Sequence, residues 1–194
     1  MSVHHRRRLF GTIVAIVVIA LLVAAIAPHF DNAVNDFGLP LSHADIIREQ
    51  AAAKHLDPAL IAAVIYAETK FEPRTSSAGA EGLMQIEPAT AEFLAHLSGG
   101  YRFTTSDLST PKVNVAYGSY YLRYLLNHYQ GRELPAIAAY NAGLANVDRW
   151  EAASADGKLS VTDIPFPETR AYVEKVMQAQ REYRSTYPHQ LGLD

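Results

Sequence analysis

The 194-residue sequence contains no cysteine. That absence excludes a disulfide framework, a thiolate metal site, a cysteine nucleophile and a lipid-modified N-terminal cysteine. Metal-ligand spacing is also missing. The eight histidines are scattered and none forms a His-Glu-x-x-His pair, so His55 and His128 read as helix-surface residues rather than ligands. Sustained apolar/polar alternation of the strand type is absent, and no internal repeat occurs. Basic charge is scarce as well. Three of the 17 basic residues, Arg6, Arg7 and Arg8, precede a long apolar stretch, leaving 14 against 20 acidic residues from position 29 onward, a formal charge of −6. No basic stripe remains to neutralise phosphates, which argues against nucleic-acid binding.

The apolar stretch, "FGTIVAIVVIALLVAAIA", runs for 18 residues from Phe10 to Ala27 without a charged side chain. At about 1.5 Å per residue it is just long enough to cross a bilayer core of roughly 30 Å. The three arginines before it assign the N-terminus to the cytoplasm and the remainder of the chain to the outer side. A cleaved signal sequence is the competing reading, because Ala25 and Ala27 give a small-x-small pattern. Pro28, directly after that pattern, disfavours cleavage, so residues 1–28 are read as a membrane anchor. Residues 29–42 form a linker in which Gly38 and Pro40, with Pro28 just before it, resist regular structure, and 43–194 form the functional domain.

From Ser42 onward apolar residues recur at helical spacing, and about seven helices are expected. Ser42 is placed as the cap of a helix running to Lys54. Asp57-Pro58 starts the most apolar helix, which carries Leu60, Ile61, Val64 and Ile65 and ends near Thr69 or Lys70, with Pro73 stopping it. Residues 71–86 read as loop. Pro88, Pro111, Pro135 and Pro167 each open a further helix, and a short one covers 144–152. The fold class is all-α.

Four glutamates, Glu68, Glu72, Glu81 and Glu87, lie in "ETKFEPRTSSAGAEGLMQIEP". Glu68 stands out. It ends an apolar helix, where desolvation and the negative end of the helix dipole both disfavour its charge and raise its pKa. A raised carboxyl is what a general acid near neutral pH needs, although a lone glutamate in a last turn is by default a solvent-facing residue. Ser76 to Ala80 and Gly82 have almost no side-chain bulk, so a polymer can approach their backbone closely. Gln85, between Met84 and Ile86, either contacts ligand or ties the loop down. Tyr140 sits against Asn141 and Gly143 at a helix end, whereas most of "YGSYYLRYLLNHY" reads as packing.

Three blocks in order, "ETKFEPRTSSAGAEGLMQIEPATA", "AIAAYNAG" and "IPFPETRAYV", resemble the catalytic domain of soluble lytic transglycosylases, lysozyme-like enzymes that cleave peptidoglycan. The resemblance implies that Glu68 is the single catalytic acid/base and that Gln85 is a sugar-binding amide. It implies that Ser77 lies near the cleaved bond and that the Tyr140 hydroxyl, beside Asn141, lies close to the catalytic carboxyl. Glu168 and Tyr172 would help close the site. Peptidoglycan glycan strands are the implied partner, with no metal or organic cofactor. The chain departs from the family pattern at Thr69, where serine is usual, and at Glu87, where methionine is frequent. The loop after Pro73 is one residue short, so Ser76 competes with Ser77, and the tail beyond Tyr187 matches nothing in the pattern. The rival readings are a goose-type-lysozyme-like hydrolase, using Glu72 or Asp107 as second carboxylate, and a non-catalytic peptidoglycan-binding module.

Overall fold

In the computed structural model, residues 38–100, 102–154 and 157–194 are described. The expected anchor at 10–27 and nearly all of the linker lie outside them. Among the described residues no helix is long and apolar enough to cross a membrane. Leu39–Asp194 form one unit. Its helices are α1 (Ala44–Lys54), α2 (Pro58–Thr69), α3 (Pro88–Ser98), α4 (Pro111–His128), α5 (Glu133–Ala142), α6 (Leu144–Ala153), α7 (Pro167–Thr186) and α8 (Pro188–Leu191). Two antiparallel strands of two residues each, β1 (Arg74–Thr75) and β2 (Glu81–Gly82), pair Arg74 with Gly82 and Thr75 with Glu81.

Helix α2 is the centre of the domain. Every residue from Ala59 to Ile65 is buried, as expected for a helix apolar on all sides. Its start is as read from the sequence: Asp57 Oδ1 accepts from the Ala59 N–H at 3.0 Å with proline at the first position. The other Asp57 oxygen accepts from Gln180 at 2.7 Å and pairs with Arg184 at 2.9 Å, which joins the cap to α7. Helix α7 buries Thr169, Tyr172, Val173, Val176, Ala179, Gln180 and Tyr183, the three-four spacing of an amphipathic helix. It packs against α2 more extensively than any other pair of described elements. The Tyr183 and Tyr187 hydroxyls donate to Pro40 O at 2.6 Å and Leu39 O at 2.8 Å, holding the entry into the domain.

Three boundaries differ from the sequence expectation, each for a local reason. His43, not Ser42, occupies the cap position of α1, with φ 55° and no side-chain cap bond. The end of α2 at Thr69 is as expected, and Lys70 and Phe71 turn the chain away there by taking left-handed backbone (φ 53° and 66°). Burial of Phe71 against the Tyr183 ring, 6.2 Å away, offsets the strain of that turn. Helix α5 begins at Glu133, two residues ahead of Pro135. Proline is tolerated there because the N–H groups of a first turn have no helical acceptor. The tail after Tyr187 forms α8, anchored by buried Leu191.

Candidate active site

Glu68 is the penultimate residue of α2, at the edge of a cleft of about 560 Å³. The cleft is lined from α2 by Glu68, from the hairpin loop by Ser76 and Gln85, from α5 by Tyr140 and Asn141, and from α7 by Glu168. Tyr172 lies behind the acid: its hydroxyl donates to Glu68 Oε1 at 2.7 Å. That leaves Oε2 as the oxygen to carry a proton. Burial raises the Tyr172 hydroxyl well above its ordinary pKa and the Glu68 charge raises it further, so it stays an O–H donor.

The Glu68 carboxyl is raised above the usual glutamate value, chiefly by burial. The Tyr172 hydrogen bond and the charges of Lys175 and Arg74 oppose that rise. The helix dipole, the second cause expected from the sequence, is countered in place. Lys175 Nζ donates to Ala67 O at 2.9 Å and Arg74 to Glu68 O at 2.7 Å, so two cations sit on the last carbonyls of α2. Desolvation alone therefore carries the shift. The result is a carboxyl that holds its proton longer than a free glutamate while keeping donors ready for its anion.

The loop between β1 and α3 is held by side chains from distant elements. Buried Asn114 of α4 accepts from Met84 N–H at 2.8 Å and donates to Glu81 O at 2.7 Å and Leu108 O at 3.0 Å. Thr69, also buried, donates to Leu83 O at 2.8 Å, so the hydroxyl that replaces the usual serine ties the loop to α2. Gly82 is required by this clamp. Its φ is 76° and a Cβ there would lie 2.3 Å from the Asn114 amide nitrogen. Tyr140 donates to Met84 O at 2.9 Å, so the hydroxyl bonded to the acid is that of Tyr172 and the Tyr140 hydroxyl holds the loop. Gln85 ties the loop down from a position on the cleft wall. Its amide nitrogen donates to Arg74 O at 2.7 Å and Gly82 O at 2.9 Å, while the side chain also lines the cleft.

The remaining sequence candidates separate by position. Ser76 lines the cleft and accepts from the Ala80 N–H at 3.0 Å, whereas Ser77 is exposed and is not among the lining residues. The Asn141 side chain accepts from Thr169 at 2.8 Å. Glu72 is exposed away from the cleft lining, and Asp107 caps its own turn through Thr104 N–H at 2.9 Å. Glu87, the glutamate in the methionine position, is exposed and lines the cleft beside Thr90. Sequence reasoning passed over Asn114, Arg74, Lys175, Thr90 and Tyr121. A signal existed for two of them: Asn114 is a poor helix former inside a helix, and Lys175 shares a face with Tyr172 three residues earlier.

A family model described as "Transglycosylase SLT domain" matches residues 45–161. The chain belongs to this family. The SLT domain here is 33% identical over 151 residues to the soluble lytic murein transglycosylase of Escherichia coli K12, covering 75% of this chain and 23% of that protein. It is 31% identical over 164 residues to membrane-bound lytic murein transglycosylase C of Edwardsiella ictaluri, covering 72% and 46%. The crystal structure of the 70 kDa soluble lytic transglycosylase from E. coli superposes with a TM-score of 0.74 at 29% identity, over 80% of this chain and 26% of that one. The chain thus spans about a quarter to a half of these curated relatives. The fold is that of the lysozyme-like SLT domain, and the cleft residues belong to the matched segment except Glu168, which lies beyond it with Tyr172.

Proposed function

We propose that this chain is a peptidoglycan lytic transglycosylase that cleaves the β-1,4 bond between MurNAc and GlcNAc and forms 1,6-anhydro-MurNAc. The carrying observation is a single recessed carboxyl, Glu68, raised by burial yet backed by the Tyr172 O–H and two cations. Such a group can give up a proton and take it back. Protonated Glu68 donates to the glycosidic oxygen as the C1–O bond breaks, and the leaving GlcNAc departs with a free 4-hydroxyl. Positive charge develops at C1 and is relieved by the oxygen of the neighbouring N-acetyl group. The MurNAc 6-hydroxyl then attacks C1 and returns its proton to Glu68. Atoms balance without water, metal or organic cofactor.

A hydrolase needs a second carboxylate to activate water. Glu72 is exposed away from the cleft lining and Asp107 is engaged in its own turn, which weighs against them. The lytic murein transglycosylases among the relatives support the anhydro-forming reading. Gln85, Tyr140, Asn141 and Glu168 contact the sugar or its peptide, and the loop at 76–80 brings backbone close to the strand. Ser76 takes the role first assigned to Ser77. Residues 10–27 anchor the chain in the membrane, with the N-terminus cytoplasmic and the catalytic domain on the periplasm or cell-wall side.

The test is Glu68→Gln in the full chain, incubated with purified sacculi. Release of anhydro-muropeptides falls to background in the variant, whereas the wild-type chain yields anhydro products. Products heavier by one water would show hydrolysis instead. Stability supplies the control. The folded pKa of Glu68 lies above its unfolded value, so the folded state binds more protons and its stability declines as pH rises through that window. Glu68→Gln removes the decline, so its melting temperature at neutral pH equals or exceeds that of the wild type.

A further inference from the structure

Three large apolar side chains stand exposed among the described residues: Phe93, Leu97 and Phe166. Single exposed apolar residues are ordinary on protein surfaces. Phe93 and Leu97 are different because they extend a face of α3 that begins in the cleft. Thr90, Phe93 and Leu97 follow three- and four-residue steps along that helix, and Thr90 lines the cleft. Phe93 is also the outer end of a row of rings. Tyr140 and Tyr121 line the cleft with centroids 5.3 Å apart. Tyr124 lies nearly parallel to Tyr121, 6.5 Å and 14° away, and Phe93 meets Tyr124 edge-on at 5.4 Å. Neither the Tyr121 nor the Tyr124 hydroxyl bonds to another described residue.

We propose that this row is an additional saccharide track, on which sugars of the glycan strand beyond those at Glu68 stack against Tyr121, Tyr124 and Phe93. The inference rests on the reading of the cleft as a glycan-cleaving site. A pyranose ring offers an apolar C–H face and a rim of hydroxyls. The row offers aromatic faces whose negative quadrupole favours those C–H groups, and phenol hydroxyls for the rim. Continuity with the cleft gives one strand both sites at once. A lipid surface is the other ligand an exposed Phe-Leu pair could meet. Helices that bind anionic bilayers flank their apolar face with Lys and Arg. Helix α3 has neither, its titratable side chains being Glu92 and His96, and the adjoining cleft is lined by Glu68, Glu87 and Glu168 with no Lys or Arg. Charge therefore favours the neutral sugar backbone over an anionic membrane.

The experiment uses the full chain carrying Glu68→Gln, so that glycan is bound without being cut. Its probes are a trimer and an octamer of β-1,4-linked N-acetylglucosamine, with affinity measured by titration calorimetry. Phe93→Ala lowers octamer affinity about three- to tenfold, the scale of one aromatic contact, and leaves the trimer unchanged. Phe93→Tyr restores the octamer. An octamer that is not bound, or that binds Phe93→Ala as well as the parent chain, overturns the proposal, as does an equal loss for both lengths. Phe93→Trp gives a second readout. Its emission moves to shorter wavelength with octamer, whereas a shift with phosphatidylglycerol vesicles alone assigns the row to lipid and overturns the track. Failure of the functional reading looks different: wild-type chain releases no anhydro product while length-dependent octamer binding persists.

Discussion

On the side of the cleft built by α2 and α7, Glu68 and Tyr172 ride on helix faces that are buried against each other. On the side built by residues 74–87, Leu83, Met84 and Ile86 are buried in the core, but the residues between Arg74 and Gly79 bury little, and the loop is also held by hydrogen bonds sent from elsewhere. Asn114, Thr69 and Tyr140 each reach a backbone group of that loop across 14 or more residues of sequence. The acid is thus placed by area removed from water, a diffuse force shared by many side chains. The sugar-facing loop adds to its three buried apolar side chains a few directional bonds, any of which is costly to lose when buried.

The strongest way to break that contrast is Asn114→Ala. It deprives the Met84 N–H and the carbonyls of Glu81 and Leu108 of their partner in a buried setting. At roughly 1–3 kcal/mol for each group left without one, partly recovered by relaxation, the domain loses about 3 kcal/mol. Turnover falls about a hundredfold, because Met84 and Gln85 lose their register against Glu68. Thermal unfolding and muropeptide release check the two effects together. A loss of stability with normal turnover would mean that the loop keeps its shape without the clamp.

That prediction also shows which parts of the molecule were legible in sequence and which were not. Helix α2 was legible because its apolar content and Asp57-Pro58 cap are local signals, and Glu68 was legible because it interrupts that signal. Its partner Tyr172 came only through resemblance, since 104 residues separate the two and no periodicity links them. Asn114 carried only the weak signal of a poor helix former inside a helix, and its role was hidden because its partners on Glu81, Met84 and Leu108 lie on other elements. The left-handed turn at Lys70 and Phe71 was hidden by a stronger-looking breaker, Pro73, two residues further on. Ser77 was preferred over Ser76 by alignment of a shortened loop, but the cleft is lined by Ser76, whose hydroxyl bonds the Ala80 N–H. Tertiary hydrogen bonds decide the loop, and sequence spacing does not encode them.

A smaller effect sharpens the helix side. Tyr172→Phe keeps the buried ring and removes only the O–H that favours the Glu68 anion. The cost in stability is about 1 kcal/mol. Without that donor the carboxyl holds its proton to higher pH, so the limb of the activity profile that falls as pH rises moves upward. Rate against pH on purified sacculi reads this directly. A downward move would mean that the hydroxyl favours protonated Glu68, the reverse of the role assigned to it.

Lys175→Met is the finest of these probes, because Lys175 acts on the same carboxyl without bonding to it. Lys175 sits on α7 three residues after Tyr172, donates to Ala67 O at 2.9 Å, and lowers the Glu68 pKa through its field. Removing the ammonium raises that pKa, so the falling limb moves to higher pH, in the same direction as Tyr172→Phe but by less. The two differ in their response to salt. A part-exposed charge is screened as ionic strength rises, whereas a direct hydrogen bond is not. The shift caused by Lys175→Met therefore shrinks between low and high salt while that of Tyr172→Phe persists. If both persist equally, Lys175 acts by holding the Ala67 carbonyl near the end of α2 in place, and the helix side of the cleft, like the loop side, depends on a directional bond.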